Sequence, residues 1–360
     1  MQTRKLGYTD LHLTTVGLGT WAIGGGGWAY GWGPQDDRES IAAIRRALDP
    51  STGSGHGLGI NWIDTAAVYG LGHSEEIIGR ALAGRRDEVI IATKCGLVWD
   101  EGSTTPYGRL KAESVRREAE ASLRRLNPSI NSGHRVEVID LYQIHWPDPD
   151  EDVEEAWGVI ADLIREGKVR YGGVSNFSVE QLKRVQAIHP VASLQPPYSM
   201  LRRGIEEELL AYCAANDIGV IVYSPMQAGL LAGKFTKERV ANLPDDDWRK
   251  RSSHFREPEL SVNLALVEKL RPIAERNGRT VAQLAVAWVL RRPLRPFDRA
   301  QGRLRPSTLL GTSSGQAEVT AAIVGARRPS QIEETAPAGD WVLSAEDIAE
   351  IDTLLAERDR

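Results

Sequence analysis

The sequence predicts a single-domain (β/α)8 barrel, and three observations carry that expectation. Short β-rich runs alternate with amphipathic helical patterns from end to end, which argues for a parallel sheet built of βα units. Eight such units can be counted. A chain of 360 residues suits one closed barrel, typically about 250 residues plus extensions, better than an open doubly wound sheet.

The elements follow in order. Arg4-Lys5-Leu6, a turn at Gly7 and Asp10, and His12-Leu13-Thr14 read as a hairpin that caps the barrel floor. Strands are expected at 16–19, 61–64, 89–93, 138–144, 171–174, 193–195, 220–223 and 321–324. Between them, apolar residues recur at helical spacing in Ile41/Ile44/Leu48, Val115/Ala119/Leu123/Leu126, Val153/Trp157/Ile160/Ile164, Val179/Leu182/Val185 and Val281/Leu284/Trp288. Ser178-x-x-Gln181, Thr280-x-x-Gln283 and Ser330-x-x-Glu333 read as capping boxes at helix starts. A C-terminal extra helix is expected over 344–355.

Composition narrows the function. Hydrophobic residues make up 41% and the formal net charge is only -5, which suggests neither a nucleic-acid footprint nor a polybasic membrane surface. Two cysteines, Cys95 and Cys213, cannot form a disulfide framework, and without a CxxC pair no metal site is expected. Residues 1–7 lack the apolar core of a signal peptide, and the apolar run 284–290 is far short of a membrane span. The expectation is a cytoplasmic protein whose partners are small molecules, with homo-oligomerisation left open.

In a barrel, chemistry collects where strands end. Asp64, Tyr69, Lys94 and His145 come from three consecutive strand ends and would point into one mouth. A phenol has a pKa of about 10, and a neighbouring ammonium lowers it; Lys94 is expected to do this to Tyr69. Asp64 would keep Lys94 charged and in position, and His145, as a neutral donor, would orient a carbonyl. Protonating a carbonyl oxygen contributes roughly 10² to 10⁴ in rate when a nucleophile reaches the carbon. No side-chain nucleophile is evident, so a hydride donor is expected. Taken singly, each residue has a plainer role: Asp64 a turn residue, Lys94 a solvated charge, His145 a satisfied core group. Their arrival together, in barrel order, favours chemistry.

The sequence resembles the aldo-keto reductases over nearly its whole length. The matching stretches are Gly17-Leu-Gly-Thr-Trp21, Gly59-Ile-Asn-Trp-Ile-Asp-Thr-Ala-Ala-Val-Tyr69-Gly70, Ala92-Thr-Lys94, Asp140-Leu-Tyr-Gln-Ile-His145, Gly172-Gly-Val-Ser-Asn-Phe177, Leu194-Gln195, Tyr223-Ser-Pro225 and Ile323-Val-Gly-Ala-Arg327. It is most similar to the bacterial general-stress and inositol-dehydrogenase-like branch, which is related to potassium-channel β subunits. The resemblance implies a catalytic tetrad on Asp64, Tyr69, Lys94 and His145, NADPH/NADP+ as cofactor, and a carbonyl or alcohol substrate. It also implies that Ser175, Asn176 and Gln195 hold the carboxamide and that Tyr223 stacks on the nicotinamide. Gly229 and Lys234 would meet the pyrophosphate, and Arg327, Gln331 and Glu334 the adenosine end. Thr20, Trp21, Asp64, Ser224, Pro225 and Gly325 complete the implied cofactor contacts. Arg327 is physically suited to a 2′-phosphate through its charged planar fork; Thr335 stands where relatives often carry Asn.

Trp21, Trp28, Tyr30 and Trp146 are candidate walls of a substrate pocket, with Trp32 nearby. The glycines at 24–27 and 55–59 lack the GxGxxG spacing between strand and helix and read as loop residues. Cys95 reads as a buried structural thiol. Three segments interrupt the family pattern, at about 49–58, 127–135 and 293–316. Pro50-Ser-Thr-Gly-Ser-Gly-His56, Pro128-Ser-Ile-Asn-Ser-Gly-His134 and Pro306-Ser-Thr followed by Ser314-Gly-Gln316 share an order that suggests one short repeat inserted three times. All three fall in αβ loops, on the face expected to lie opposite the active site. The rival functions are a non-enzymatic or weakly active NADPH-binding redox sensor or regulatory subunit, and a barrel lyase or isomerase without a nicotinamide.

Overall fold

The computed structural model describes all residues except 51–57, 128–137, 246, 292–296, 299–302, 305–317 and 359–360. Eight parallel strands close into a barrel: β1 (Val16–Gly19), β2 (Trp62–Asp64), β3 (Ile90–Cys95), β4 (Ile139–Ile144), β5 (Val169–Ser175), β6 (Ser193–Gln195), β7 (Gly219–Val222) and β8 (Ala321–Gly325). Neighbours pair in chain order, and β8 returns to β1. The expected (β/α)8 barrel is the observed one, with strand bounds shifted by no more than a few residues.

Each strand forms because its side chains are apolar toward both the barrel interior and the surrounding helices. Val16, Leu18, Ile63, Ile91, Ile139, Ile144 and Val174 are buried in one outer core with the helical stripes. That core includes Ile44 and Leu48 of α1 (Asp37–Leu48), Ile77 and Ile78 of α2 (His73–Ala81), Val115 and Ala119 of α3 (Ala112–Arg125), and Trp157 and Ile160 of α4 (Val153–Arg165). A fully buried Leu, Ile or Val side chain contributes roughly 1.5–3 kcal/mol.

The barrel floor has its own core. Thr3–Lys5 pairs antiparallel with His12–Thr14, and this hairpin presents Leu6, Leu11 and Leu13 to Trp62, Leu141, Ile221 and Ile323. The Trp62 indole donates to the Thr14 carbonyl at 2.9 Å. A Cβ at residue 17 would sit 2.1 Å from that ring, so Gly17 is dictated by Trp62.

Helix starts follow their caps, with one correction. In α5 (Val179–Gln186) both bonds of the Ser178/Gln181 capping box are made. Thr280 and Gln283 reciprocate likewise at 3.1 and 3.2 Å, ahead of the helix Val281–Arg291. Ser330, expected as a third cap, instead lies inside the helix Pro329–Thr335, whose N-cap is Arg328. Pro329 moves the start forward, because its fixed φ and missing N–H suit the first helical position. The terminal helix is Ala345–Arg358, and Ser344 Oγ accepts the Asp347 N–H at 3.0 Å.

The three expected insertions lie between α1 and β2, between α3 and β4, and between Val281–Arg291 and β8. Most of their residues, including the repeated Pro-Ser to Gly-His/Gln motifs, lie outside the described residues; within the third, Phe297–Asp298 pairs antiparallel with Arg303–Leu304. Among the described residues no helix is long and apolar enough to cross a membrane.

Candidate active site

The strand register brings the candidate residues to one end of the barrel. Asp64 pairs with Gly19 and Ala92, Lys94 with Gln143, and Gln195 with Ser175. His145 follows β4 directly, its N–H donating to the Cys95 carbonyl at 2.9 Å. Tyr69 comes from the turn after β2, closed by its N–H on the Ala66 carbonyl at 3.1 Å. The next residue, Gly70, has φ +63°, and a Cβ there would meet the Gly24 carbonyl oxygen at 2.2 Å. That close approach seats the tyrosine turn against the loop after β1.

Behind the phenol lies a buried ion pair. Lys94 Nζ donates to Asp64 Oδ1 at 2.7 Å and to the Thr65 carbonyl at 2.8 Å, and lies 3.4 Å from the Tyr69 hydroxyl. Gln195 Nε2 donates to the other oxygen of Asp64 at 2.7 Å, so the carboxylate is held on both sides. A second, partly buried ion pair braces β3. Thr93 donates to Glu75 Oε1 at 2.6 Å, while Arg125 Nε donates to Glu75 Oε2 at 2.7 Å.

The electrostatics correct one expectation and support another. Burial, then the Asp64 carboxylate and Tyr223, push the Tyr69 phenol well above its usual pKa, whereas the sequence led us to expect Lys94 to lower it. The ammonium's charge is engaged by Asp64 at closer range, and desolvation outweighs what remains. Tyr69 is therefore held protonated. Burial also lowers the pKa of Lys94, against the raising effect of Asp64. Burial, then the charge of Lys94, hold His145 well below the ordinary histidine range, so its imidazole is neutral, and its ring packs edge-on against Tyr69 at 5.7 Å.

Tyr69, Asp64 and His145 line a cavity of about 800 Å³, and every cofactor and substrate residue singled out from sequence lines it too. Only Lys94 does not touch it, being fully buried behind Tyr69 and Asp64. At the barrel centre, Ser175 Oγ donates to the Gln195 carbonyl at 2.8 Å. Asn176, at φ +64°, donates to the His145 carbonyl at 3.0 Å and accepts from the Tyr223 hydroxyl at 2.8 Å. Asn tolerates this left-handed conformation better than most residues. Ser224 shares it at φ +57°, and such strain concentrates at functional sites.

Farther out, the lining includes Thr20, Pro225, Gly229, Gly325, Gln331 and Glu334. Lys234 forms an ion pair with Glu334. The guanidinium of Arg327 reaches across to the loop after β1, donating to Gln35 Oε1 at 2.6 Å and to the carbonyls of Trp32 and Pro34. Trp21 stacks on Tyr69 at 6.3 Å on one side and on Trp248 at 5.2 Å on the other. Trp28 is nearly buried, packed with Ala66 and Val68, while Tyr30 and Trp146 remain 47% and 41% exposed at the mouth.

Several lining residues escaped the sequence reading. Trp248 and Arg249, from the loop after β7, cover the cavity: Arg249 lies 4.6 Å over the Trp32 ring and is fixed by Asp247. Their signal was an aromatic residue beside the basic run Arg249-Lys250-Arg251. Tyr107 arrives through a short hairpin, Leu97–Val98 with Tyr107–Gly108, signalled by the turn residues Asp100 to Ser103. Arg202, Arg239 and Asp148 carried no signal of their own.

Comparison with known proteins agrees with this geometry. The family model described as "Aldo/keto reductase family" matches residues 15–356. The chain is 37% identical to aldo-keto reductase YhdN of Bacillus subtilis (strain 168) over 358 residues, which is 99% of this chain and 94% of that protein. It is 35% identical to the NADH-specific methylglyoxal reductase of Escherichia coli (strain K12), over 81% of this chain and 86% of that protein. The structure of the glycerol dehydrogenase AKR11B4 from Gluconobacter oxydans superposes with a TM-score of 0.79 at 36% identity, covering 99% of this chain and 96% of that one. An eight-stranded barrel, a family match across 15–356 and relatives at more than a third identity lead to one conclusion: this chain belongs to the aldo/keto reductase family.

Proposed function

We propose that this chain is an NADPH-dependent carbonyl reductase that converts aldehydes or ketones to alcohols, with Tyr69 as the proton donor. The observation that carries it is a protonated phenol on the wall of a cavity, 3.4 Å from an ammonium fixed by a carboxylate at 2.7 Å.

The residues present fit a nicotinamide dinucleotide. The cavity's volume of about 800 Å³ is in the range of ligand pockets, roughly 300–1,000 Å³. Amide and hydroxyl groups of Ser175, Asn176 and Gln195 stand at one end, and Lys234, Arg239, Arg249 and Arg327 at the other, where anionic phosphates need donors. When bound, the reduced nicotinamide supplies hydride to a carbonyl carbon. Tyr69 gives its phenolic proton to the carbonyl oxygen, and Lys94 stabilises the phenolate left behind. Asp64 holds Lys94 in place, while His145, neutral, donates a hydrogen bond that aligns the carbonyl. Trp21, Trp28, Tyr30 and Trp146 wall the substrate.

NADPH is proposed over NADH because the fork of Arg327 can take a 2′-phosphate on giving up contacts with Gln35 and the Trp32 and Pro34 carbonyls. The Escherichia coli relative named as NADH-specific makes this the point to measure: Arg327→Ala should lower the NADPH/NADH ratio of kcat/KM at least tenfold. The reading includes a cytoplasmic location, which the two buried free thiols Cys95 and Cys213 suit. It treats the three loop insertions as passengers on a single barrel domain.

The test is titration of NADPH and NADH against the fluorescence of the ten tryptophans, followed by NADPH oxidation with a panel of aldehydes. Quenching with micromolar NADPH and aldehyde-dependent oxidation are expected. Absence of nicotinamide binding, or binding without turnover of any aldehyde, would overturn the proposal.

A further inference from the structure

One continuous cavity carries two lobes of different character. The loops after β6, β7 and β8 bring Arg202, Lys234, Arg239, Arg249 and Arg327 to its lining. The loops after β1, β3 and β4 bring Trp21, Trp28, Tyr30, Leu97, Tyr107 and Trp146, with Asp148 as the acidic side chain among them. His145 at their base is neutral.

This second lobe is built rather than incidental. The Ala29 N–H donates to the Thr104 carbonyl at 2.9 Å, tying the loop after β1 to the one after β3. The Asp148 carbonyl packs against Gly108, tying the loop after β4 to the Tyr107 hairpin. Three large aromatic rings, Tyr30, Tyr107 and Trp146, are left 41–47% exposed around the opening. The Tyr107 hydroxyl donates to Asp100 at 3.0 Å, which sets a second carboxylate on the rim.

Arg109 and Arg251 flank this mouth without lining the cavity. Arg109 pairs with Glu113 at 2.7 Å and Arg251 donates to the Ala29 carbonyl. Asp148 has no ion-pair partner among the described residues. Aromatic faces attract cations through their quadrupoles, and an unpaired carboxylate beside them adds a favourable charge. The cationic side chains that line the cavity come from the loops after β6, β7 and β8, and an anionic molecule is drawn to them instead.

We propose that this mouth selects aldehydes that carry a positive charge, such as amino- or trimethylammonio-substituted aldehydes, over anionic ones, with Asp148 as the specificity-determining carboxylate. The proposal rests on the carbonyl-reductase reading above and names its substrate class.

The test compares wild type, Asp148→Asn and Asp148→Glu with NADPH and three para-substituted benzaldehydes. The trimethylammonio compound is cationic, the nitro compound neutral and similarly electron-poor, and the carboxylate anionic. In wild type, kcat/KM should favour the cationic over the anionic aldehyde. Asp148→Asn should lower that cation/anion ratio about three- to tenfold at low ionic strength, and Asp148→Glu should keep most of it. Added salt should shrink the wild-type preference. A ratio unchanged within twofold in Asp148→Asn, while 4-nitrobenzaldehyde is still reduced, overturns the proposal alone. Failure of every protein to reduce 4-nitrobenzaldehyde overturns the reductase reading and this proposal with it.

Discussion

Breaking the Asp64–Lys94 pair should cost far more than removing it. Asp64→Asn leaves a fully buried ammonium with the Thr65 carbonyl at 2.8 Å as its close acceptor. Lys94→Met leaves the carboxylate with Gln195 Nε2 at 2.7 Å. An uncompensated buried charge costs about 3–5 kcal/mol, whereas replacing both partners by neutral groups is often close to harmless. Scaled to 360 residues, the unfolding entropy near Tm is about 0.8 kcal/mol/K, so 1 kcal/mol moves Tm by about 1.3 °C. Each single variant should therefore melt about 4–7 °C below wild type. The double variant should fall short of the sum by at least about 2 kcal/mol, since contacting residues are not additive. Thermal unfolding followed by far-UV circular dichroism at pH 7 is the assay. A single variant within 1 °C of wild type, or strict additivity, would refute the account of this pair as mutually compensating.

Other expectations follow from the same site and its surroundings. With the pKa of Tyr69 raised, that of Lys94 lowered and His145 held neutral, kcat/KM for reduction should be level through neutral pH. It should fall on the alkaline side below the ordinary lysine value; an inflection near pH 6.5 would contradict the assignment of His145. Glu118, which accepts the Gly96 N–H at 2.8 Å, has its carboxyl pKa raised by burial from 4.5 to about 7. The folded state binds that proton more tightly, so the stabilisation is full below pH 4.5 and is lost as pH rises through 7. Up to about 3 kcal/mol is at stake; Tm of Glu118→Gln relative to wild type should rise by about 4 °C between pH 5 and 8, and a constant difference would count against it. Replacing the bulk of each insertion, at about 49–58, 127–135 and 293–316, by short Gly-Ser links should leave kcat/KM within about twofold, because loop length in αβ connections costs little; a large loss in a folded variant would show that the insertions matter.

The barrel was legible because its strands are largely buried on both faces, which leaves continuous apolar runs such as Val-Ile-Ile-Ala at 89–92 and Ala-Ala-Ile-Val at 321–324. The candidate site was legible because Asp64, Lys94 and His145 stand at or just after the ends of such runs, and Tyr69 in the turn that follows one. What escaped was of a different kind. The cover made by Trp248 and Arg249 lies in an irregular loop, where no periodicity announces a position. The pairing of Arg327 with Gln35 spans 292 residues and joins two loops that only the closed barrel brings together. The direction of the Tyr69 shift was missed because sequence names charged neighbours but not depth, and here desolvation decides the sign. At Ser330 a local rule failed because a stronger one, proline at the first helical position, acted one residue earlier.

The measurement that bears most directly on the central claim is Tyr69→Phe compared with wild type. It removes one hydroxyl, 3.4 Å from Lys94, and leaves the ring that stacks on Trp21. Reduction of 4-nitrobenzaldehyde by NADPH should fall roughly 10²- to 10⁴-fold, while the Kd for NADPH, read by tryptophan fluorescence, stays within about threefold. Turnover by the variant at the wild-type rate would contradict the assignment of Tyr69 as the acid and the function proposed from it.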